Sequence, residues 1–208
     1  KMIAQFNCSG DWAFYIEGDE VYHEDDLEQI KSAMKLHLHD PNVEALVFDF
    51  NHFYGNANSI LNSPGWYRSE ARIIKNSIRT YAPDGLFWLV LQSNKKGRYP
   101  RAKHTGVSCY HYGWVRSEDQ MNLKSKKVQK YWGGDPIKID YTQMDQAIIQ
   151  EFKGSHPAVI KEWLPKDSGL FKTDYSYQLT RKQKKHRLMI RLENLFGLEL
   201  SKKHFDLL

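Results

Sequence analysis

The chain has few cysteines and no long hydrophobic run. The only two cysteines, Cys8 and Cys109, exclude a disulfide-stabilised scaffold and a four-cysteine zinc site. Reduced thiols are expected, as is usual in the cytoplasm. The longest strongly apolar run, residues 86–91, is far shorter than the roughly 20 residues that cross a bilayer. Hydrophobic residues make up 41% of the chain and aromatic residues 13%, which excludes disorder as its main state.

Charge is unevenly distributed along the 208 residues. The net charge is +5, from 30 basic and 25 acidic residues. Residues 17–28 are strongly acidic, whereas residues 95–103 and the segment from Arg181 to Arg191 are strongly basic. An acidic pocket between basic flanks suits metal-assisted chemistry on phosphates. The basic C-terminal segment would suit acidic lipid headgroups, and a solvated charge run is the alternative interpretation.

Apolar segments with strand character alternate with amphipathic helical segments. Strands are predicted at residues 12–16, 43–50, 67–74, 86–91 and 106–112. Helices are predicted at residues 24–39, 117–131, 145–152, 157–163 and 181–196. Two polar segments, residues 51–65 and 92–103, are expected to be loops. The alternation predicts an α/β fold with a helical C-terminal extension.

Three carboxylates follow the first predicted strand. Glu17, Asp19 and Glu20 stand where residues 12–16 end, and ligands of open α/β sheets bind beyond the ends of strands. Two carboxylates two residues apart can share a hard divalent cation that also binds substrate phosphates. A polar turn with solvated acids is the alternative interpretation.

Two further segments contain candidate site residues. His111 ends a predicted strand and can offer its imidazole to a metal or a phosphate. If residues 67–74 are extended, Arg68, Glu70 and Arg72 share one face, because side chains alternate along a strand. A carboxylate between two arginines stays ionised and can act as a general base. A structural histidine and a surface ion-pair ladder are the simpler interpretations.

The combination of these segments resembles family 2 glycosyltransferases, in a bacterial branch. Residues 10–20 resemble the strand and metal motif of that family, which usually reads Asp-Ala-Asp-Glu after an apolar strand. Residues 65–74 are similar to the region after its acceptor loop. Residues 111–116, followed by Met121 and Lys124, resemble its C-terminal part. The resemblance covers residues 8–132, and the remaining tail is similar to the branch's C-terminal extension.

The resemblance implies a GT-A-like, Rossmann-like mixed sheet flanked by helices, and an inverting transfer of a sugar from a nucleotide-sugar donor. Asp19 would bind a divalent metal, Mn²⁺ or Mg²⁺, with His111 as a further ligand. Glu17 stands where the family has its first aspartate, and Glu20 would support the site without binding the metal.

Other residues receive roles in donor binding and proton transfer through the same resemblance. Arg72, Lys124 and Trp114 would contact the donor. Glu70 is the candidate general base, and Asp25 and Glu24 are its competitors. The acceptor would be a glycan or a lipid-linked sugar of bacterial polysaccharide synthesis, met in the cytoplasm or at the inner face of the membrane.

The position of the acidic motif predicts a truncated domain arrangement. In the family, roughly 80 residues with the nucleotide-binding half precede this motif, whereas here it begins at Glu17. Residues 1–135 are therefore expected to be the C-terminal part of a transferase domain, and residues 136–208 a helical extension. A sheet edge left exposed by the missing strands would favour self-association.

Other function classes remain open at this point. A degenerate transferase could act as a non-catalytic module that binds a glycan or a partner, and it would not hydrolyse a donor with Mn²⁺. A nucleic-acid binder would use the basic segments, but the acidic residues 17–28 argue against a broad basic face. A glycoside hydrolase needs two carboxyl groups about 5–9.5 Å apart across the bond, and no pair in the sequence indicates that placement.

Overall fold

A computed structural model describes residues 1–94, 96–133, 135, 138–164 and 169–208. Five α-helices within them are α1 (Met2–Phe6), α2 (Leu27–His37), α3 (Glu118–Trp132), α4 (Ala158–Lys161) and α5 (Arg181–Phe196). The first six strands are β1 (Trp12–Phe14), β2 (Glu20–Tyr22), β3 (Ala45–Tyr54), β4 (Asn56–Leu61), β5 (Ser69–Lys75) and β6 (Thr80–Tyr81). The strands that follow are β7 (Leu89–Leu91), β8 (Gly97–Arg98), β9 (Arg101–Trp114), β10 (Ile149–Glu151) and β11 (Asp206–Leu207).

The chain divides into two compact units, which are described separately. The first unit contains residues 1–50, 67–109 and 202–208, and the second contains residues 51–66 and 110–201. This division differs from a boundary after residue 135. Strand β10, from the expected extension, pairs with β4, so both belong to the second unit. The assignment of residues 1–135 to a transferase domain stays a prediction, and Pro136, where the extension was expected to begin, lies outside the described residues.

The first unit is built on a mixed sheet. Strand β5 pairs antiparallel with β1 and with the first half of β3, whereas β11 pairs parallel with the start of β9. Helix α2 contributes Ile30 to a core that includes Phe48 and Ile73. A second small sheet contains β6, β7 and β8 in that order. The combination of helices with a sheet of mixed strand direction confirms the predicted α/β class.

The second unit contains a hairpin where the sequence predicted a loop. Strand β3 continues to Tyr54, Gly55 makes the turn with φ +72°, and β4 returns as far as Leu61. The loop prediction over residues 51–65 is therefore wrong.

Two polar residues of β4, Asn56 and Ser59, are buried because they form hydrogen bonds with residues elsewhere in the second unit. Ser59 accepts a hydrogen bond from the Phe171 amide at 2.7 Å, and Asn56 donates to the Gly169 carbonyl at 3.2 Å.

Helices α3 and α5 begin and end where local signals predicted. Ser117 and Gln120 form a capping box at the start of α3, and Thr180 and Gln183 form one at the start of α5. Gly197 ends α5 with φ +65°, a conformation that favours glycine. Among the described residues, no helix has the length and apolar character needed to cross a membrane.

One ion pair, between the buried Asp145 and the half-exposed Arg187, anchors α5 within the second unit. The Asp145 carboxylate accepts hydrogen bonds from Nε and Nη2 of Arg187 at 2.8 and 2.6 Å, and from the Ala147 amide at 3.0 Å. Arg187 holds the pKa of Asp145 below its ordinary value, although burial of the carboxyl opposes this. The ionised form of Asp145 is therefore favoured by the fold.

We predict that Asp145→Asn lowers the free energy of unfolding by about 2 kcal/mol at pH 7, because it removes charged hydrogen bonds from a buried position. Since the pKa of Asp145 is lower in the folded chain, this stabilisation exists above the unfolded-state pKa and is lost as the pH falls through the folded-state value. Urea unfolding at pH 7 and at about pH 3 measures both effects. Glu151→Gln, at an exposed position of β10, is the control.

Candidate functional site

A buried ion pair fixes the acidic turn of the first unit, which is formed by residues 17–20. Arg72 of β5 donates from Nε and Nη2 to the Glu20 carboxylate, with the shortest distance 2.6 Å. The Glu20 side chain is fully buried, and 2% of the Arg72 side chain is exposed. Phe50 packs 4.9 Å from the Arg72 guanidinium. Burial would lower the pKa of Arg72, but the Glu20 partner raises it above the ordinary value, so the guanidinium stays charged.

The same carboxylate fixes the backbone of the turn. Glu20 Oε2 accepts a hydrogen bond from the Glu17 amide at 3.1 Å, and the Glu20 amide donates to the Glu17 carbonyl at 3.0 Å. The Tyr15 amide donates to the Arg72 carbonyl at 2.8 Å, which joins the preceding residues to β5. The positions of residues 17–20 are therefore determined by contacts with Arg72 and with one another.

Glu17 and Asp19 present their carboxylates at this turn. Both residues are half-buried. Burial raises the pKa of Glu17, Arg72 at 3.8 Å opposes the rise, and the negative charges of Glu20 and Asp19 add to it. Glu17 and Glu20 thus share Arg72. A cation bound between Glu17 and Asp19 would relieve the repulsion between these two carboxylates.

The two carboxylates of the turn are of the ligand type that a hard divalent cation prefers. Such ions prefer carboxylate oxygens, and Mg²⁺ is commonly held by one or two carboxylates together with substrate phosphates. Glu17 and Asp19 supply that number of ligands. Among the described residues there is no group of three or more histidine, cysteine, aspartate and glutamate side chains arranged to hold a metal.

A bulge in β5 separates the residues that the sequence placed on one face. Leu46 pairs with Ile73 and Val47 with Ala71, so Arg72 is the extra residue between two pairs. The alternation of side chains is interrupted there. Arg72 pairs with Glu20, and Glu70 binds a different partner. The expectation that Arg68, Glu70 and Arg72 share one face is therefore wrong for Arg72.

The partner of Glu70 is a histidine from the last residues of the chain. Nδ1 of His204 lies 2.7 Å from Oε2 of Glu70, and the Ala71 amide donates to Oε1 at 3.0 Å. The imidazole of His204 stacks on Phe87, with ring centres 4.1 Å apart and planes 4° apart. This pairing holds His204 with its Nε2 directed away from Glu70. Sequence reasoning missed His204, since no local pattern relates it to a glutamate 134 residues earlier.

Lys1 adds a cation to this part of the first unit. Its ammonium group lies 4.6 Å from the ring centre of Tyr15 and 5.1 Å from that of Trp88. The pKa of Lys1 is lowered to about 8, mainly by burial and also by Arg72, while Glu17 and Glu70 act in the opposite direction. The Lys1 ammonium group therefore interacts electrostatically with the acidic turn and with Glu70.

The other predicted site residue of the first unit is more exposed. The Asp25 side chain is 84% exposed and lies 3.4 Å from Nδ1 of His23. It belongs to a short 3₁₀ turn before α2, together with Glu24. Asp25 is therefore open to solvent, and His23 is its neighbour.

Three of the predicted site residues belong to the second unit. Nδ1 of His111 lies 2.9 Å from Nδ1 of the buried His52, so one imidazole donates to the other and His111 would bind a metal through Nε2. Trp114 packs edge to face on Trp66, with ring centres 5.4 Å apart. Lys124 is exposed on α3. His52 was missed because its segment was interpreted as a loop.

No protein-family model matches this chain, and no curated protein shows significant similarity to it.

We predict that Arg72→Met lowers the free energy of unfolding by about 3–5 kcal/mol, because it leaves the Glu20 charge buried without a partner. The double variant with Glu20→Met recovers most of this loss, since no uncompensated charge remains. Urea unfolding of both variants measures the difference. Arg79→Met, at an exposed position of the same unit, is the control. A loss below about 1 kcal/mol for the single variant would contradict the importance of the pair.

Proposed function

We propose that this chain is a glycosyltransferase of GT-A-like fold, or the C-terminal part of one, which transfers a sugar from a nucleotide-sugar donor to a glycan or lipid-linked acceptor with inversion. The observation that supports the proposal is the acidic turn, in which Glu17 and Asp19 are half-buried above the Glu20–Arg72 pair. A turn fixed in this way presents two carboxylates, while Glu20 makes the short hydrogen bonds to Arg72.

Glu17 and Asp19 are the residues proposed to hold a divalent cation, Mn²⁺ or Mg²⁺. A bound cation of this kind neutralises charge on a departing diphosphate. Glu20 is committed to Arg72 by three hydrogen-bond contacts, so it supports the turn. Arg72 is buried and acts in this proposal by positioning Glu20, whereas a direct contact of Arg72 with the donor stays a prediction from the sequence.

The proposed reaction requires a base for the acceptor hydroxyl. The base takes the hydroxyl proton, the oxygen bonds to the anomeric carbon, and the bond to the nucleoside diphosphate breaks. We assign proton transfer to the Glu70–His204 pair. Nε2 of His204 takes the proton, while Glu70 accepts a hydrogen bond from Nδ1 and stabilises the imidazolium. Asp25 is the competing base.

We predict that Asp19→Asn lowers the Mn²⁺-dependent hydrolysis of a nucleotide-sugar donor at least about a hundredfold, because it removes a charged ligand of the cation. Release of nucleoside diphosphate from a panel of nucleotide-sugars measures this rate, and circular dichroism checks that the fold is retained. Asp11→Asn, at an exposed position of the same unit, is the control.

Two outcomes would count against the enzyme. If Asp19→Asn retains full hydrolysis, the acidic turn does not hold the cation. If the unaltered chain hydrolyses no donor in the panel but still binds a glycan array, the chain is a binding module derived from a transferase.

We predict that Glu70→Gln and His204→Gln each lower sugar transfer about 10²–10⁴-fold, the usual contribution of general-base catalysis. Donor hydrolysis, in which water replaces the acceptor, is measured beside transfer under the same conditions. Asp25→Asn leaves the rate of transfer unchanged. The opposite pattern, with loss only in Asp25→Asn, would transfer the role of base to Asp25.

A further inference from the structure

Helix α5 has an exposed apolar stripe along its outer side. Leu188, Leu192 and Leu195 are spaced four and three residues apart, so they fall within about 60° of one another around the helix. They are 55%, 39% and 73% exposed. Phe196, next to them at the end of the helix, is 63% exposed. Single exposed leucines are ordinary, but a continuous stripe of this kind indicates a contact surface.

The opposite side of α5 is already used within the second unit. Arg187 pairs with Asp145, Ile190 packs against the core around Tyr141, and the buried Glu193 accepts a hydrogen bond from the Leu200 amide at 2.6 Å. The helix is therefore anchored by its inner face, and the leucine stripe is left free to meet another surface.

Basic side chains flank the stripe on both sides. With 100° per residue, Lys184 and Arg191 lie on one side of the leucines and Lys185 and Lys182 on the other. All four residues are exposed. The only acidic residue between Arg181 and Phe196 is the buried Glu193. The outer face of α5 thus combines an apolar centre with basic margins and has no exposed carboxylate.

Helix α3, the other long basic helix, shows a different pattern over the side chains that the structure describes, residues 118–130. It also carries exposed lysines, including Lys126 and Lys127. The exposed apolar residues in that range, Leu123 and Val128, are five positions apart, which places them about 140° apart around the helix. Residues 118–130 therefore combine exposed lysines with no continuous apolar stripe, which makes Lys126 and Lys127 a matched comparison.

We propose that the outer face of α5 docks on an anionic lipid bilayer, lying in the interfacial plane with its leucines inserted. Amphipathic helices with basic margins bind anionic membranes through buried apolar area together with attraction to acidic headgroups.

A second copy of the chain fits less well, because packing two such stripes together would bring their lysines against one another. Nucleic acid would engage the lysines and leave the leucines in water. The inference stands on α5 alone and does not depend on the proposed transferase activity.

Vesicle co-sedimentation of the full chain tests the proposal. We expect the chain to sediment with vesicles of phosphatidylcholine containing phosphatidylglycerol, and at least about tenfold less with phosphatidylcholine alone, because each basic residue near an anionic surface adds to the attraction. Raising the salt concentration well above the physiological level weakens the binding, since headgroup charges are screened.

Paired variants separate the apolar and the electrostatic contributions. Leu188→Gln with Leu192→Gln lowers binding to anionic vesicles at least about tenfold, since it removes most of the inserted surface. The matched control is Leu36→Gln, an apolar residue of α2 that is 74% exposed, and it leaves binding unchanged. The altered residues are exposed, so the fold is retained, and thermal unfolding checks this.

Charge reversal tests the basic margins. Lys184→Glu with Lys185→Glu lowers binding at least about tenfold, whereas Lys126→Glu with Lys127→Glu on α3 changes the net charge equally and has a much smaller effect. Equal losses from both pairs would overturn the proposal, because they would show attraction by net charge alone.

Three other results would also overturn it. One is equal sedimentation with both kinds of vesicle. Another is a dimer in light scattering that the leucine variant dissociates, which would assign the stripe to a second copy. The third is tighter binding to RNA or DNA than to vesicles, lost in the lysine variant and kept in the leucine variant.

Discussion

The buried pair of Glu20 and Arg72 is the interaction on which the candidate site depends. It joins the start of β2 to the bulge of β5, and the Glu20 carboxylate also binds the backbone of Glu17. Because a buried charge is tolerated only with a partner, each member requires the other. Glu17 and Asp19 consequently lie on a turn whose conformation is determined by these contacts in the absence of a ligand.

The same principle applies to two other buried carboxylates, one in each unit. Glu70 receives the imidazole of His204, and in the second unit Asp145 receives the guanidinium of Arg187. Each of these two buried carboxylates is thus paired with a basic side chain, whereas Glu17 lies 3.8 Å from Arg72, which already pairs with Glu20, and also interacts with Lys1. Burial raises the pKa of Glu17, and the negative charges of Glu20 and Asp19 add to the rise against the opposing effects of Arg72 and Lys1. A half-buried carboxylate with a perturbed pKa is a candidate for chemistry.

Local patterns predicted the elements whose causes are local. Helices α3 and α5 followed from the caps at Ser117 and Thr180 and from periodicity, and the acidic turn followed from the end of an apolar strand. Strand β4 was not predicted, because its polar residues are buried by partners more than 110 residues later in the chain. The partners of Glu20 and Glu70 lie 52 and 134 residues away and depend on strand register, including one bulge, which composition and spacing do not encode. The residue types of the site were therefore predictable, and their pairing was not.

The central claim is that a divalent cation binds at the turn formed by residues 17–20. Paramagnetic Mn²⁺ broadens the amide signals of nearby residues, so its addition to the isotope-labelled chain in NMR locates the ion directly. The account predicts that the signals of Gly18 and Asp19 disappear first, at low Mn²⁺, and that a nucleoside diphosphate sharpens this selectivity. Broadening that begins at Asp25 and Asp26, or that spreads evenly over the acidic surface, would contradict the claim.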